Sequence, residues 1–420
     1  MPVPRTSRTA ALRERASRRG SALVALLAEG IAGPLEGRHT LLAVCPNSVA
    51  VTRAALLAAR EADAPLLFAA TLNQVDLDGG YTGWTPTTFA AFVTAEVQRL
   101  GLDVPVVPGL DHGGPWKKDV HRAEGLSYEE TLRHVQRSLE ACLDAGYGLL
   151  HLDPTFDPTC DGSVPVEEIV VRTVALMRHA EAYRRRKGYA PVAYEVGTEE
   201  VGAGLESEAR LAAFLDALVP ALEAEGLPHP VFVVGDVGTA LDAGTFDAAR
   251  ARRLVRLVRS FGAHLKGHYT DGVAHPEAYP LAGVGGANIG PGLAAVEYAA
   301  LMDLVALEQA LGRASGFPEA LRAAVVESGR WRKWLHPSER GRPFADLAPS
   351  RQAWLVETGS RYVWTHPAVV EARARLYAHV APYRAAETYV VWRIKEAILG
   401  YLHAFNLVGL TDRLLAALPA

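Results

Sequence analysis

Residues 148–154 read GLLHLDP, residues 165–187 read PVEEIVVRTVALMRHAEAYRRRK, and residues 191–196 read PVAYEV. A short apolar run, a long helical pattern and a second short apolar run follow one another, with Pro154, Gly188 and Pro191 at the junctions. Unbroken apolar runs of this length suit parallel strands buried on both faces. The unit recurs along the chain. Further runs lie at Leu41–Cys45, Pro65–Ala69, Val104–Gly109, Val231–Val234, His264–Lys266 and Gly286–Ile289. Helical patterns at Ser48–Ala62, Pro86–Leu100, Tyr128–Ala145, Glu206–Glu225, Asp247–Phe261 and Gly292–Leu311 fill most of the gaps. Eight strand–helix units predict an α/β protein, a closed (β/α)8 barrel of the TIM type rather than an open doubly wound sheet.

The flanks follow other patterns. An Ala/Leu/Arg helix is expected over residues 8–31, ended by Gly30 and Gly33. Past residue 315 the rhythm gives way to a mainly helical pattern in which Trp331, Trp334, Trp354 and Trp364 cluster with Arg, His and Pro. The expected organisation is an N-terminal helical segment at 1–38, a barrel at 39–315 and a C-terminal helical region at 316–420 packed on the barrel.

Composition narrows the function classes. The 420 residues are 49% hydrophobic and 21% charged, as in ordinary soluble globular proteins. A net charge of −4 and a pI near 6.4 give no electrostatic case for nucleic acid. The arginine-rich stretches 13–19 and 184–187 fall inside helical patterns and read as solvated faces. Cys45, Cys142 and Cys160 cannot all pair and match no zinc spacing, so reduced thiols of a cytoplasmic protein are expected. No apolar run approaches the roughly 20 residues that span a bilayer, and the N-terminus lacks a signal-peptide core. No membrane partner is expected.

In a barrel, function lies at the C-terminal strand ends and the loops beyond them. The unusual polar residues of this chain fall there. Asn73-Gln74 and a glycine-rich loop, Gly79-Gly80-Tyr81-Thr82-Gly83, follow the second strand. Asp111-His112, between glycines, follows the third: a candidate metal ligand beside a candidate base, or a helix cap beside a surface histidine. His151 and Asp153 share one face after the fourth strand. Glu195, Glu199 and Glu200 crowd the fifth, and such carboxylates repel one another without a cation. One of the three is expected to be simply exposed. His264, Lys266 and His268 share a face of the seventh if the segment stays extended. After the eighth, Asn288-Ile289-Gly290-Pro291-Gly292 opens a helix where barrels often hold phosphate on backbone N–H groups, although a tight turn would use the same glycines. His112, Glu199 and His268, from three converging strand ends, suit zinc, or manganese where carboxylate and water dominate.

Taken in order, these motifs resemble the Z-type subunit family of class II tagatose-bisphosphate aldolases, whose members are known as non-catalytic or stabilising subunits. The resemblance runs from Asn73-Gln74, Gly79–Gly83 and Thr85-Pro86 through Asp111-His112, Gly114-Pro115, His151-Leu152-Asp153 and Gly197-Thr198-Glu199. It continues through His268, Thr270-Asp271 and Gly290-Pro291 to Arg361-Tyr362, Trp364 and His366. It implies a TIM barrel akin to the zinc aldolases, in which a metal polarises the ketose carbonyl and an acidic group moves the hydroxyl proton. Carried over by motif, Asp111 is implied as the proton-transfer residue. His112, Glu199 and His268 are implied as ligands of a divalent metal, zinc first and manganese, nickel or cobalt as alternatives. Asn73, Gln74, Asp153 and Asn288 are implied as sugar contacts. Glu195 and Asp271 join Asp111 as catalytic candidates, and Asn47 and Lys266 join the substrate-binding set.

The chain departs from the pattern at Glu195, where an apolar residue is expected, and at Asn288, where a lysine is expected. The missing lysine favours a less phosphorylated or unphosphorylated substrate, although backbone amides alone can hold phosphate. The resemblance thus implies a metal-dependent enzyme working at C3–C4 of a ketose. Retro-aldol cleavage with re-addition to the other carbonyl face gives 4-epimerisation, as between fructose and tagatose; release of the fragments gives an aldolase. A non-catalytic partner of a separate aldolase subunit, or a homo-oligomer, is the reading from another class. A Schiff base on Lys266 is the least favoured.

Overall fold

Eight parallel strands close into a barrel in sequence order, the last pairing with the first. They are β1 Leu41–Val44, β2 Leu66–Thr71, β3 Val106–Gly113, β4 Leu149–Leu152, β5 Ala193–Gly197, β6 Phe232–Val234, β7 His264–Gly267 and β8 Gly286–Ile289. The computed structural model describes residues 7–33, 35, 38–198, 205, 207–240 and 245–418. Every residue of β1, β4, β5, β6 and β8 is buried, which is why these strands read as unbroken apolar runs. Polar caps start the intervening helices. Ser48, Thr85, Ser127, Ser207 and Asp247 each accept a backbone N–H from the first turn that follows.

Two expectations are corrected. The single helix over residues 8–31 is two, Arg8–Arg18 and Leu23–Ala32. Gly20 adopts φ +60°, and the Ser21 N–H turns back to the Ala16 carbonyl, so the first helix stops there. β3 runs on to Gly113 and takes Asp111 and His112 into the strand itself. Its register against β4 shifts between Leu110 and Gly113, and His112 sits at φ +48°.

The C-terminal helices pack on the barrel. Ala386–Ala404 lies along Val49–Ala62 and Pro291–Ala310, and one apolar core includes Leu12, Phe68, Leu304 and Ile394. The ends of the described chain are joined. Arg15 Nη1 donates to the carbonyls of Leu415 and Leu418 at 2.7 Å, and Arg8 pairs with Asp63, Asp103 and Asp412. None of the three cysteines is disulfide-bonded. Among the described residues, no helix is long and apolar enough to cross a membrane.

One buried acid couples the barrel's seam to pH. Glu297, on the helix Pro291–Ala310, is 2% exposed and accepts the Ser48 hydroxyl at 2.6 Å. Burial pushes its carboxyl up to about 7, against the pull of Ser48 and Arg373. A raised folded-state pKa favours the fold most below the ordinary value of 4.5. That contribution falls as pH rises towards 7 and is gone above it. Glu297→Gln keeps an acceptor for Ser48 without a charge. It should be more stable than the parent at pH 8, by about 2–3 kcal/mol, with the gap closing towards pH 5. Denaturant unfolding across that range measures it, and superimposable pH profiles would refute it.

Candidate functional site

The site forms where the C-terminal ends of β3, β4, β5, β7 and β8 converge. Neighbours on a regular strand point to opposite faces. Asp111 and His112 nevertheless both line the cavity at the mouth. The bulge between Leu110 and Gly113 and the left-handed backbone of His112 make this possible.

Beneath the cavity the side chains interlock. His112 Nδ1 lies 2.6 Å from Asp153 Oδ2, and His268 Nε2 lies 3.1 Å from Glu195 Oε1. The other nitrogens of these rings, His112 Nε2 and His268 Nδ1, face each other at 3.2 Å. When each ring donates its N–H to its carboxylate, two lone pairs meet across that gap. A shared proton or a cation relieves the opposition. Two imidazoles bound tetrahedrally at about 2.0–2.1 Å would stand at about this separation. His151 is wholly buried: its Nε2 lies 2.9 Å from the Gly197 carbonyl, and its Nδ1 lies 2.9 Å from Asp111 Oδ1 and 3.1 Å from the His112 backbone nitrogen. Asp111, His151, Glu195 and His268 bring one donor atom each within 4.8 Å of one another, as do His112, His151 and Asp153. Carboxylate and imidazole donors in this arrangement fit a divalent ion.

The buried charges are compensated from below. Lys266 Nζ donates to Glu195 Oε2 at 2.6 Å, and Lys117 Nζ lies 2.8 Å from Asp153 Oδ2. Burial alone would raise the Asp111 carboxyl, but the charges of His112, His268 and His151 hold it well below the usual carboxylate range. Burial likewise opposes ionisation of Glu195, and Lys266, His151 and His268 bring it down to about 2.

Of the expected sugar contacts, Asn47, Asn73, Gln74 and Asn288 line the cavity. Gln74 Nε2 donates to Asn47 Oδ1 at 2.8 Å, and Asn288 Nδ2 donates to Asp111 Oδ2 at 3.2 Å. Asp153 and Lys266 are not on the wall. Each is buried beneath it and held in an ion pair, Asp153 against His112 and Lys266 against Glu195. The same pairing leaves Lys266 poorly placed as a Schiff-base amine. Glu195, also fully buried, holds His268 from below. Asp271 stands apart from the cluster: its Oδ1 accepts the N–H groups of Gly290 and Gly292, both at 2.8 Å. Glu199 and Glu200 lie outside the described residues. β7 ends at Gly267, and His264, at its far end, packs on Phe232.

Sequence reading gave no role to His151, Lys117, Trp334 or Arg361. Tyr81 meets Tyr362 edge-on at 5.1 Å, and Arg361 stacks over Tyr362 and Trp334. The tryptophan- and arginine-rich composition after residue 315 was the available signal.

The closed eight-stranded parallel barrel, with its polar cluster at the strand ends, makes this a TIM-barrel protein. Over residues 34–216 the chain matches the model of the family described as D-tagatose-1,6-bisphosphate aldolase subunit GatZ/KbaZ-like. The crystal structure of a probable tagatose 6 phosphate kinase from Sinorhizobium meliloti 1021 superposes with a TM-score of 0.67 at 24% identity, covering 87% of this chain and 100% of that one. This likeness shows the common fold. The YdjI aldolase from Escherichia coli K12 superposes more loosely, with a TM-score of 0.49 at 13% identity over 91% of this chain and 98% of that one.

Lys266→Met should leave Glu195 buried without its cation. Unfolding should become easier by about 3–5 kcal/mol, and Glu195→Gln in the same chain should restore most of the loss. Thermal or denaturant unfolding of both variants checks this. A single variant as stable as the parent would show that Lys266 does not carry the compensation.

Proposed function

We propose that this chain is a divalent-metal-dependent enzyme acting at C3–C4 of a ketose. Its main reaction in this reading is 4-epimerisation of a ketohexose or its phosphate, of the fructose/tagatose type. The observation that carries the proposal is Asp111, an acid held ionised in a cavity lined by amides, beside two imidazole nitrogens that face each other. Such a site can accept a hydroxyl proton next to a cation.

The cation would be held by His112 and His268, with Asp111 and Glu195 adjacent. Zinc is the first expectation, and manganese, nickel or cobalt the alternatives. When bound, it supplies Lewis acidity at the C2 carbonyl. Asp153 and Glu195 orient the two rings through their other nitrogens. His151 and Asn288 fix the two oxygens of Asp111. Asp111 takes the proton of the C4 hydroxyl as the C3–C4 bond breaks. The bonding pair moves to C3 and the C2 carbonyl, and C4 becomes an aldehyde. Rotation of that fragment, re-addition through its other face and return of the proton from Asp111 give the C4 epimer. Asn47, Asn73 and Gln74 would keep the fragment bound; its escape would give aldolase activity, the alternative within the same chemistry. A cytoplasmic site of action goes with this reading.

The family description favours a second reading, in which the chain stabilises a separate aldolase subunit. Assay of the purified chain alone separates the two. The proposal expects bound metal on elemental analysis and turnover of fructose, tagatose or their phosphates that EDTA abolishes. His112→Ala should lose the metal. Asp111→Asn should lower kcat by about 10²–10⁴-fold. Ketose turnover at an unchanged rate in metal-free protein would sink the mechanism.

A further inference from the structure

The backbone cradle after β8 is already filled. In many barrels the N–H groups at this helix start hold a phosphate. Here Gly290 and Gly292, at the start of the helix Pro291–Ala310, both donate to Asp271 Oδ1. A Cβ on Gly292 would lie 2.9 Å from that oxygen, so glycine is what admits the carboxylate so closely. A phosphate in the same place would meet a buried carboxylate at contact distance, and like charges repel strongly there.

Three further atoms indicate what the cavity takes instead. Asp271 Oδ2, Asn288 Oδ1 and Arg361 Nη1 are buried and lack a hydrogen-bond partner among the described residues, and all three residues line the cavity. Arg361 is only 5% exposed, its Nη2 donates to the Tyr362 hydroxyl at 3.0 Å, and the charges acting on it come from tyrosines. Its charge nevertheless acts on Asp271 across the cavity. The other cavity cations are committed: Lys117 to Asp153, and Arg122 and Lys333 to Asp119. Two acceptors and one donor, with opposed charges, suit hydroxyl groups. A hydroxyl can donate to Asp271 or Asn288 and accept from Arg361.

We propose that Asp271 is a specificity residue: it plugs the barrel's phosphate cradle and, with Arg361 and Asn288, selects a ketose whose terminus carries hydroxyls and no phosphate. This rests on the ketose reading above. Buried polar atoms left unmatched by a ligand penalise it, so discrimination of about tenfold or more is expected.

Two measurements on the metal-loaded protein test it. One compares kcat/KM for D-fructose with that for its 1- and 6-phosphates. The other titrates inorganic phosphate calorimetrically into the parent and into Asp271→Ala. The parent should prefer the free sugar by about tenfold or more and show no phosphate binding at millimolar concentrations. Asp271→Ala should gain phosphate binding and lose the preference. A parent that binds phosphate, or that prefers either sugar phosphate, overturns the proposal. The sugar comparison decides alone if the variant does not fold. A protein inert towards every ketose, whose Asp271→Ala variant still gains phosphate binding, removes the ketose reading and upholds the plugged cradle.

Discussion

Two lysine–carboxylate contacts, Lys266 with Glu195 and Lys117 with Asp153, are the constraint on which the mouth of the barrel depends. Both carboxylates are fully buried, and an isolated charge there would be neutralised or expelled. With a cation against one side, each stays ionised and offers an oxygen to an imidazole: Glu195 to His268, Asp153 to His112. The rings are thereby fixed, and so is the gap between their facing nitrogens. Asp111 differs from the other two acids. No lysine lies against it among the described residues, and its compensation comes from imidazoles. That makes it the acid whose charge is most open to exchange with a ligand.

The barrel was legible because its strands are buried on both faces and leave eight apolar runs between capped helices. The candidate site was only partly legible. Sequence showed which polar residues sit near strand ends, and Asp111, His112, His268, Asn47, Asn73, Gln74 and Asn288 do meet at one cavity. It could not show the bulge in β3, because nothing in Leu110–Gly113 announces a left-handed histidine. It could not separate wall from foundation either. Lys266 lies in β7 and Asp153 just past the end of β4, but the distance to the cavity depends on the layer of the barrel a residue reaches. Asp271 was among the catalytic candidates, but its contact with the turn after β8 was hidden for a different reason. The glycines at 290 and 292 signalled a cradle, and only three-dimensional contact revealed that a carboxylate nineteen residues earlier than Gly290 fills it.

The C-terminal region does more than cover the barrel. Lys333, Trp334, Arg361 and Tyr362 build one wall of the cavity, and Tyr362 meets Tyr81 from the loop after β2. Eight strands alone would leave that side open. The buried arginine, stacked on two aromatic rings, comes from the same region, so the selectivity of the mouth is set partly by residues outside the barrel repeat.

The joined ends of the described chain bear on its biosynthesis. The helix Arg8–Arg18 finds the carbonyls of Leu415 and Leu418 only once these have been made. At ribosomal rates of about 5–20 residues per second, that interval is roughly 20–80 s. Throughout it, Leu12 and Ala16, which end up buried, lack part of their final cover. A helix made early in the described chain is thus among the last to be sealed. Two buried apolar side chains on an otherwise arginine-rich helix thus wait for their cover until the C-terminal helix exists.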